Sequence, residues 1–243
     1  MGVFRHLLPL RKRHKLMKWL SPFIALLPLP LGLVLRISGS DKEQPGEHHY
    51  GATYHRIFRP MKYRRLTLLE IGIGGYDKSL GGESLRAWQC YFLFGKIVGC
   101  DIEDKHQLAG GRVRVHAIDQ GSAIDLARIA SQEGPFDIII DDGSHVNAHQ
   151  IFSFKNLFAH VKGGGIYVIE DTHTSYSPQW GGKPVNQQTL STAMGYFTEL
   201  AKYLNYLEFG TEEEASADMI SLAKTIHSIH FEHNLIILHK HIR

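Results

Sequence analysis

PFDIIIDDGSH, residues Pro135 to His145, is the stretch on which the fold turns. A short apolar run ends there in two carboxylates, a glycine, a serine and a histidine. Phe136 to Ile140 is rich in β-branched residues and reads as a fully buried strand. Strands buried on both faces belong to parallel sheets covered by helices. In such sheets ligands collect beyond the carboxyl ends of the strands, so Asp141, Asp142 and His145 are expected at that edge. A second run has the same form: Gly165 to Ile169, followed by Glu170 and Asp171. If the two strands are neighbours, their acids form one cluster. Clustered carboxylates repel unless a proton or a cation relieves them.

Working outward, Leu66 to Ile71 reads as the first strand of the domain, and Gly72, Gly74 and Gly75 make a glycine-rich turn after it. Apolar residues at helical spacing predict a helix from Glu83 to Phe94. Strands follow at Lys96 to Cys100 and at Arg112 to Ile118, then a helix from Ala123 to Ser131. After the strand at 136–140 a helix is predicted from Asn147 to Val161, stopped by Gly163, Gly164 and Gly165. Strand and helix alternate at βαβ spacing, which predicts a doubly wound, mostly parallel α/β sheet. A long polar and aromatic loop, THTSYSPQWGGKP, follows Asp171, and such loops often line sites. A helix is expected from Gln187 to Leu207, and Glu212 to Glu214 read as a solvated helix start. Ile226 to Phe231 and Leu235 to His239 read as a closing antiparallel hairpin, which brings the sheet to seven strands.

The amino-terminal segment differs in character. Residues 1–40 hold seven Lys/Arg and no acids; subtracting those from the overall +3 leaves −4 for the remainder. The basic balance therefore belongs to a tail and does not make the folded part a nucleic-acid binder. Trp19 to Ile37 is strongly apolar but interrupted by Pro22, Pro28 and Pro30, which are expected to break a helix and weaken a membrane span. Residues 1–37 thus form a basic-apolar arm. Peripheral contact with a membrane surface, a packing arm used in folding or homo-oligomerisation, and a true span or signal anchor, which the prolines and short length weaken, stand as alternatives. Residues 38–60 are a polar linker leading into the domain at 61–243. His48 and His49 within it are either a ligand wall or a surface turn. Cys90 and Cys100 are the only cysteines, so a disulfide framework and a cysteine zinc site are not expected, and a reducing, cytoplasmic setting is.

The chemistry follows from the strand ends. A glycine turn after a first strand, here Glu70 to Gly75, lets a ligand approach the backbone closely. It departs from the dinucleotide fingerprint, which would place glycine where Asp77 stands. Asp101 ends the second strand, where a carboxylate can hold both hydroxyls of a ribose. A nucleoside without a pyrophosphate needs those contacts only, and S-adenosylmethionine fits. Asp119 and Gln120 either bond an adenine edge or cap the following helix. Asp141 is expected to face the cofactor. Asp142, Glu170 and Asp171 offer hard oxygen ligands and no thiols, which suits Mg2+, Mn2+ or Ca2+ rather than zinc; helix capping or ion pairing is the competing role for any one of them. His145 lies beside them, placed to take a proton from a hydroxyl whose acidity a metal has raised. His149 and His173 are expected to be structural or to touch substrate.

These motifs are also familiar together. LLEIGIGGY (68–76), GGESLRAWQCYF (81–92), GCDIEDK (99–105), FDIIIDDGSH (136–145) and GGGIYVIEDTHTSY (163–176) resemble the class I S-adenosylmethionine-dependent methyltransferases of the mycinamicin/macrocin sugar O-methyltransferase group. The resemblance runs from about Ser40 to Tyr176, and the closing hairpin is similar to the antiparallel pair of that class. It implies a Rossmann-like fold and a Mg2+-dependent methyl transfer to a sugar hydroxyl of a glycosylated metabolite or glycan. It carries metal binding onto Asp142, Glu170 and Asp171 and the base role onto His145. Cofactor contact falls on Glu70, Gly72, Ser84, Asp101, Asp119 and Asp141, joining Gly74 and Gln120 from the turn and the third strand end. The macrolide enzymes carry an additional amino-terminal domain, where this sequence shows the basic-apolar arm. Two other readings of the residues remain: a metal-dependent methyltransferase of catechol-like phenols, and a non-catalytic protein of this fold that binds a membrane or partner through residues 1–37.

Overall fold

The computed structural model describes residues 10–46, 48–75, 80–209 and 216–242, with side chains from residue 15 onward in the first helix. Arg5, Asp77 and the acidic run Glu212 to Glu214 lie outside the described residues. The chain divides into two compact units, Met1–Ala117 and Ile118–Arg243.

The first unit opens with helices α1 (Leu10–Leu26), α2 (Leu31–Ser38) and α3 (Gly51–Phe58). Strand β1 (Arg65–Ile71), helix α4 (Glu83–Tyr91), strand β2 (Phe94–Asp101) and strand β3 (Val113–Ala117) follow. The three strands are parallel, with Ile71 opposite Cys100 and Asp101 opposite Ala117. Every residue of α4 from Ser84 to Tyr91 is buried. A helix buried all round needs cover on more than one side, and α1 and α2 supply it. The basic-apolar arm is therefore packed on this unit along one face, through Ser21, Ala25, Leu31, Val34 and Leu35. Pro22 does not break α1, contrary to the expectation from its ring. The Lys18 carbonyl that proline cannot serve accepts a hydrogen bond from Ser21 Oγ at 3.0 Å. Pro28 and Pro30 do fall in the break between α1 and α2.

The segment expected as a polar linker is more deeply anchored than its composition indicates. Lys42 is wholly buried and pairs with Glu70 at 3.4 Å, and α3 brings Tyr54 and Phe58 against Trp88. His48 stacks on Tyr50 at 4.7 Å.

The second unit holds α5 (Ala123–Glu133), β4 (Phe136–Asp141), α6 (Asn147–Leu157) and β5 (Val161–Ile169). After a loop of short 3-10 turns come α7 (Ala193–Lys202), α8 (Ala217–Ala223), β6 (Ile226–Glu232) and β7 (Leu235–Lys240). Strands β4 and β5 are parallel, while β7 lies antiparallel to both β5 and β6. The seven strands follow the order β3-β2-β1-β4-β5-β7-β6, the doubly wound, mostly parallel sheet with a closing hairpin that the pattern predicts.

Two boundaries differ from expectation. The glycines at 163–165 lie inside β5 and do not stop α6. The helix ends at Leu157, and just beyond it Lys240 Nζ donates to the carbonyls of Phe158, Ala159 and Val161 at 2.9, 2.8 and 2.7 Å. Helix α7 starts at Ala193 rather than Gln187, because Thr192 caps it and Gln188 is drawn into the loop by the carbonyls of Ser175 and Lys183.

Candidate functional site

At the end of β4 the chain turns through Asp142, Gly143, Ser144 and His145 before α6 begins. The turn is held from beneath by Gln120. Its Nε2 donates to Asp141 Oδ1 at 2.6 Å, and its Oε1 accepts from the Ser144 N–H at 2.9 Å. Gly143 passes so close to that side chain that a Cβ there would collide with it. Asp141 is fully buried, and burial pushes its carboxyl up to about 7 despite hydrogen bonds from the Gly143 N–H and Gln120 that favour the charged form. The neighbouring Asp142 charge adds to the rise.

The turn delivers Asp142 and His145 to Asp171, which follows β5. One ligand atom from each of the three lies within 4.8 Å of the others, and His145 Nε2 is 3.6 Å from Asp171 Oδ2. Among the described residues three non-glycine positions have positive φ, and two are His145 (57°) and Asp171 (54°). Left-handed backbone costs such residues about 1–3 kcal/mol, so the fold holds both side chains in place against a local preference. The two carboxylates at this spacing suit a hard divalent cation, with the imidazole of His145 beside them. Glu170 sits beside them, buried, its carbonyl held by Gln150 Nε2 at 2.9 Å; it stands outside the three-residue group. His145 Nδ1 is buried and has no hydrogen-bond partner. The Trp180 ring lies edge-to-face with the His145 ring at 6.1 Å.

In the first unit the glycine turn after β1 has the shape the sequence requires. Gly72, Gly74 and Gly75 all have positive φ. Gly81 packs on the backbone of Ile73 and Gly74, where a Cβ would collide with main-chain atoms. Asp101, at the end of β2, braces this turn: its Oδ2 accepts from the Ile73 N–H at 3.3 Å and from Lys105 Nζ at 2.9 Å. Lys105 also bonds the Gly74 carbonyl. Glu70 is completely buried. Its Oε2 accepts from Ser84 Oγ at 2.8 Å and Trp88 Nε1 at 3.1 Å, and its Oε1 meets Lys42.

No protein-family model matches the chain. Curated relatives do. The chain is 40% identical over 210 residues to the 8-demethyl-8-alpha-L-rhamnosyl tetracenomycin-C 2'-O-methyltransferase of Streptomyces olivaceus, covering 86% of this chain and 54% of the relative. It is 40% identical over 194 residues to the mycinamicin VI 2''-O-methyltransferase of Micromonospora griseorubida, covering 79% and 48%. The solved MycE methyltransferase of the mycinamycin pathway, in complex with Mg and SAH, superposes with a TM-score of 0.83 at 37% identity, over 88% of this chain and 55% of that one. MycE has also been solved with Mg, SAH and mycinamycin VI, at a TM-score of 0.81.

Over most of its length this chain is similar to sugar O-methyltransferases. It spans about half the length of the curated relatives it matches.

GGESLRAW, one of the motifs that carry the resemblance, is largely bracing. Ser84 and Trp88 bond Glu70, and Arg86 bonds the carbonyl of Leu108 and Gln89 Oε1. Gln120 is occupied at both ends within the Asp141 turn. Asp119 is exposed, and its Oδ1 accepts from the Gly121 N–H at 2.7 Å; Ser122 caps α5. His149 Nδ1 lies 2.9 Å from Ser144 Oγ, and His173 is exposed.

Sequence reasoning missed three residues that shape these sites. Lys105 was signalled only by its i+4 spacing from Asp101. Trp180 was read as part of a site-lining loop but not singled out. Asn147 gave no signal: buried at the start of α6, it donates to the carbonyls of Thr174 and Trp180 and accepts from Ser175 Oγ and the Ala193 N–H. Those partners are 27 to 46 residues away in sequence, beyond any local pattern.

Proposed function

We propose that this chain is the catalytic region of an S-adenosylmethionine-dependent, divalent-metal-dependent O-methyltransferase that methylates a hydroxyl of a sugar carried by a small molecule or glycan. The single observation behind the chemistry is the group Asp142, His145 and Asp171, gathered by two left-handed residues. The donor set fits Mg2+ or Mn2+. Asp142 and Asp171 would hold the ion, with Glu170 as the further ligand that the family resemblance implies. A bound divalent ion would make an acceptor hydroxyl more acidic, and S-adenosylmethionine would supply an electrophilic methyl group.

The chain's own residues do the rest. His145 takes the hydroxyl proton at Nε2, the nitrogen turned toward Asp171, whose carboxylate then stabilises the imidazolium. Gln120 and Asp141 keep the turn rigid, so the base is held at the geometry that proximity catalysis needs. Trp180, fixed through its carbonyl by Asn147, gives the acceptor an apolar wall beside His145. Gly72 and Gly74 allow the cofactor close to the backbone, and Asp101 is offered to the ribose hydroxyls. The sugar acceptor is favoured over a catechol-like phenol because the relatives at 40% identity act on glycosylated natural products by name. A cytoplasmic site of action accompanies this reading. Peripheral membrane contact or homo-oligomerisation through residues 1–37 is a separate property of the arm.

The test is an acceptor screen with methyl-labelled S-adenosylmethionine, run with Mg2+ and with EDTA, against rhamnosylated and other glycosylated metabolites and against catechols. Label on a sugar hydroxyl that disappears in EDTA supports the reading. Label on catechols alone, or transfer undiminished in EDTA, overturns it.

A further inference from the structure

The arm has two faces, and only one of them is used by the fold. Among the described side chains of α1 the buried ones are Ser21 and Ala25, and α1 packs on α4. On the other face Leu16, Trp19, Phe23, Leu26 and Leu27 recur at the spacing of one helical stripe. All five are exposed, Trp19 at 69% and Phe23 at 61% of their surface. The Trp19 and Phe23 rings lie 6.1 Å apart and form one aromatic ridge. Leu33 and Ile37 are likewise exposed on α2. A stripe of this composition is unusual on a surface that stays in water.

Charge says what would cover it. Residues 1–40 carry seven Lys/Arg and no acid, whereas the remainder of the chain is net negative. Lys15 and Lys18 are exposed on α1 itself. A second copy of the arm would set like charges together across the apolar stripe. An anionic bilayer offers both halves of the match, acyl chains for the stripe and headgroups for the cations. No described helix is long and apolar enough to cross a membrane, so the contact is with the surface. We propose that the exposed face of α1 docks this protein on an anionic lipid surface.

The experiment is flotation of the full chain with vesicles of mixed phosphatidylglycerol and phosphatidylcholine, and with pure phosphatidylcholine, at low and high salt. The wild type is expected to float with the anionic vesicles and to be released by salt. The triple variant Trp19→Ser/Phe23→Ser/Leu26→Ser changes exposed positions only and should lose roughly tenfold or more in partitioning. Lys12→Glu/Lys15→Glu should lose roughly fivefold per charge removed on the anionic vesicles alone. Circular dichroism checks that each variant is folded. Sedimentation of the same proteins tests the other occupant. A wild type that ignores anionic vesicles at low salt overturns the proposal. So does a triple variant that binds them as the wild type does while falling from an oligomer to a monomer, which would give the stripe to a second copy.

Discussion

At the end of β1, Glu70 is sealed from water and meets a lysine, a serine hydroxyl and an indole N–H. At the end of β2, Asp101 meets Lys105 and the backbone of the glycine turn. In the other unit, at the ends of β4 and β5, Asp142 and Asp171 instead gather around a histidine, with Asp171 and His145 both in left-handed backbone. In the first unit the strand-end acids are tied to protein cations and donors, which fixes a turn. In the second, Asp142 and Asp171 are gathered with an imidazole, the grouping on which the proposed metal site rests. A carboxylate at the end of a parallel strand is therefore not in itself a ligand site; what the fold sets against it decides.

The largest effect that could break this contrast is in the second unit. His145→Ala should cut single-turnover methyl transfer by roughly 10²–10⁴-fold, the range for a positioned general base, with S-adenosylmethionine affinity nearly unchanged. If the variant keeps near-normal rates, His145 is not the base; if excess Mg2+ restores it, His145 belongs with the ligands.

Next in size is the buried pair of the first unit. Glu70→Ala leaves the Lys42 ammonium buried without its partner and should cost about 3–5 kcal/mol of stability in chemical denaturation. The double change Glu70→Ala/Lys42→Met should recover part of that. A loss below about 1 kcal/mol would mean the pair is solvated on relaxation and does not anchor the segment before α3.

Asp101 tests how far bracing and ligand binding overlap. Asp101→Ala should weaken S-adenosylmethionine binding by about 1.5–3 kcal/mol, the scale of hydrogen bonds to a charged group. Unchanged affinity in calorimetry would confine Asp101 to holding Ile73 and Lys105.

Ser84 should give the smallest effect and the cleanest sorting. Its hydroxyl is spent on Glu70, so Ser84→Ala should cost about 1–2 kcal/mol of stability and leave cofactor affinity where it was. An affinity drop without a stability change would return Ser84 to the cofactor.

Much of this was legible beforehand, and unevenly. The strands were, because their apolar runs are buried on both faces and leave an unbroken β-branched signature, as in Ile138 to Ile140. The acids at the strand ends were, because the sheet's geometry puts them at one edge. Helix limits were less so: the turn just beyond α6 is bonded by Lys240, some eighty residues further on, and α7 is delayed by Gln188 bonding into a loop.

The sequence by itself determined the class of fold, the chemical kind of each group at the strand ends and the charge of the arm, because periodicity, side-chain chemistry and net charge are local properties. Only the tertiary structure decided which acids meet lysines and which meet His145, that Gln120 spends both ends of its amide beneath the Asp141 turn, and that one face of α1 packs on α4 while Trp19 and Phe23 stay in water. Those outcomes depend on partners distant along the chain, and such partners become neighbours only when the strands and helices have been packed.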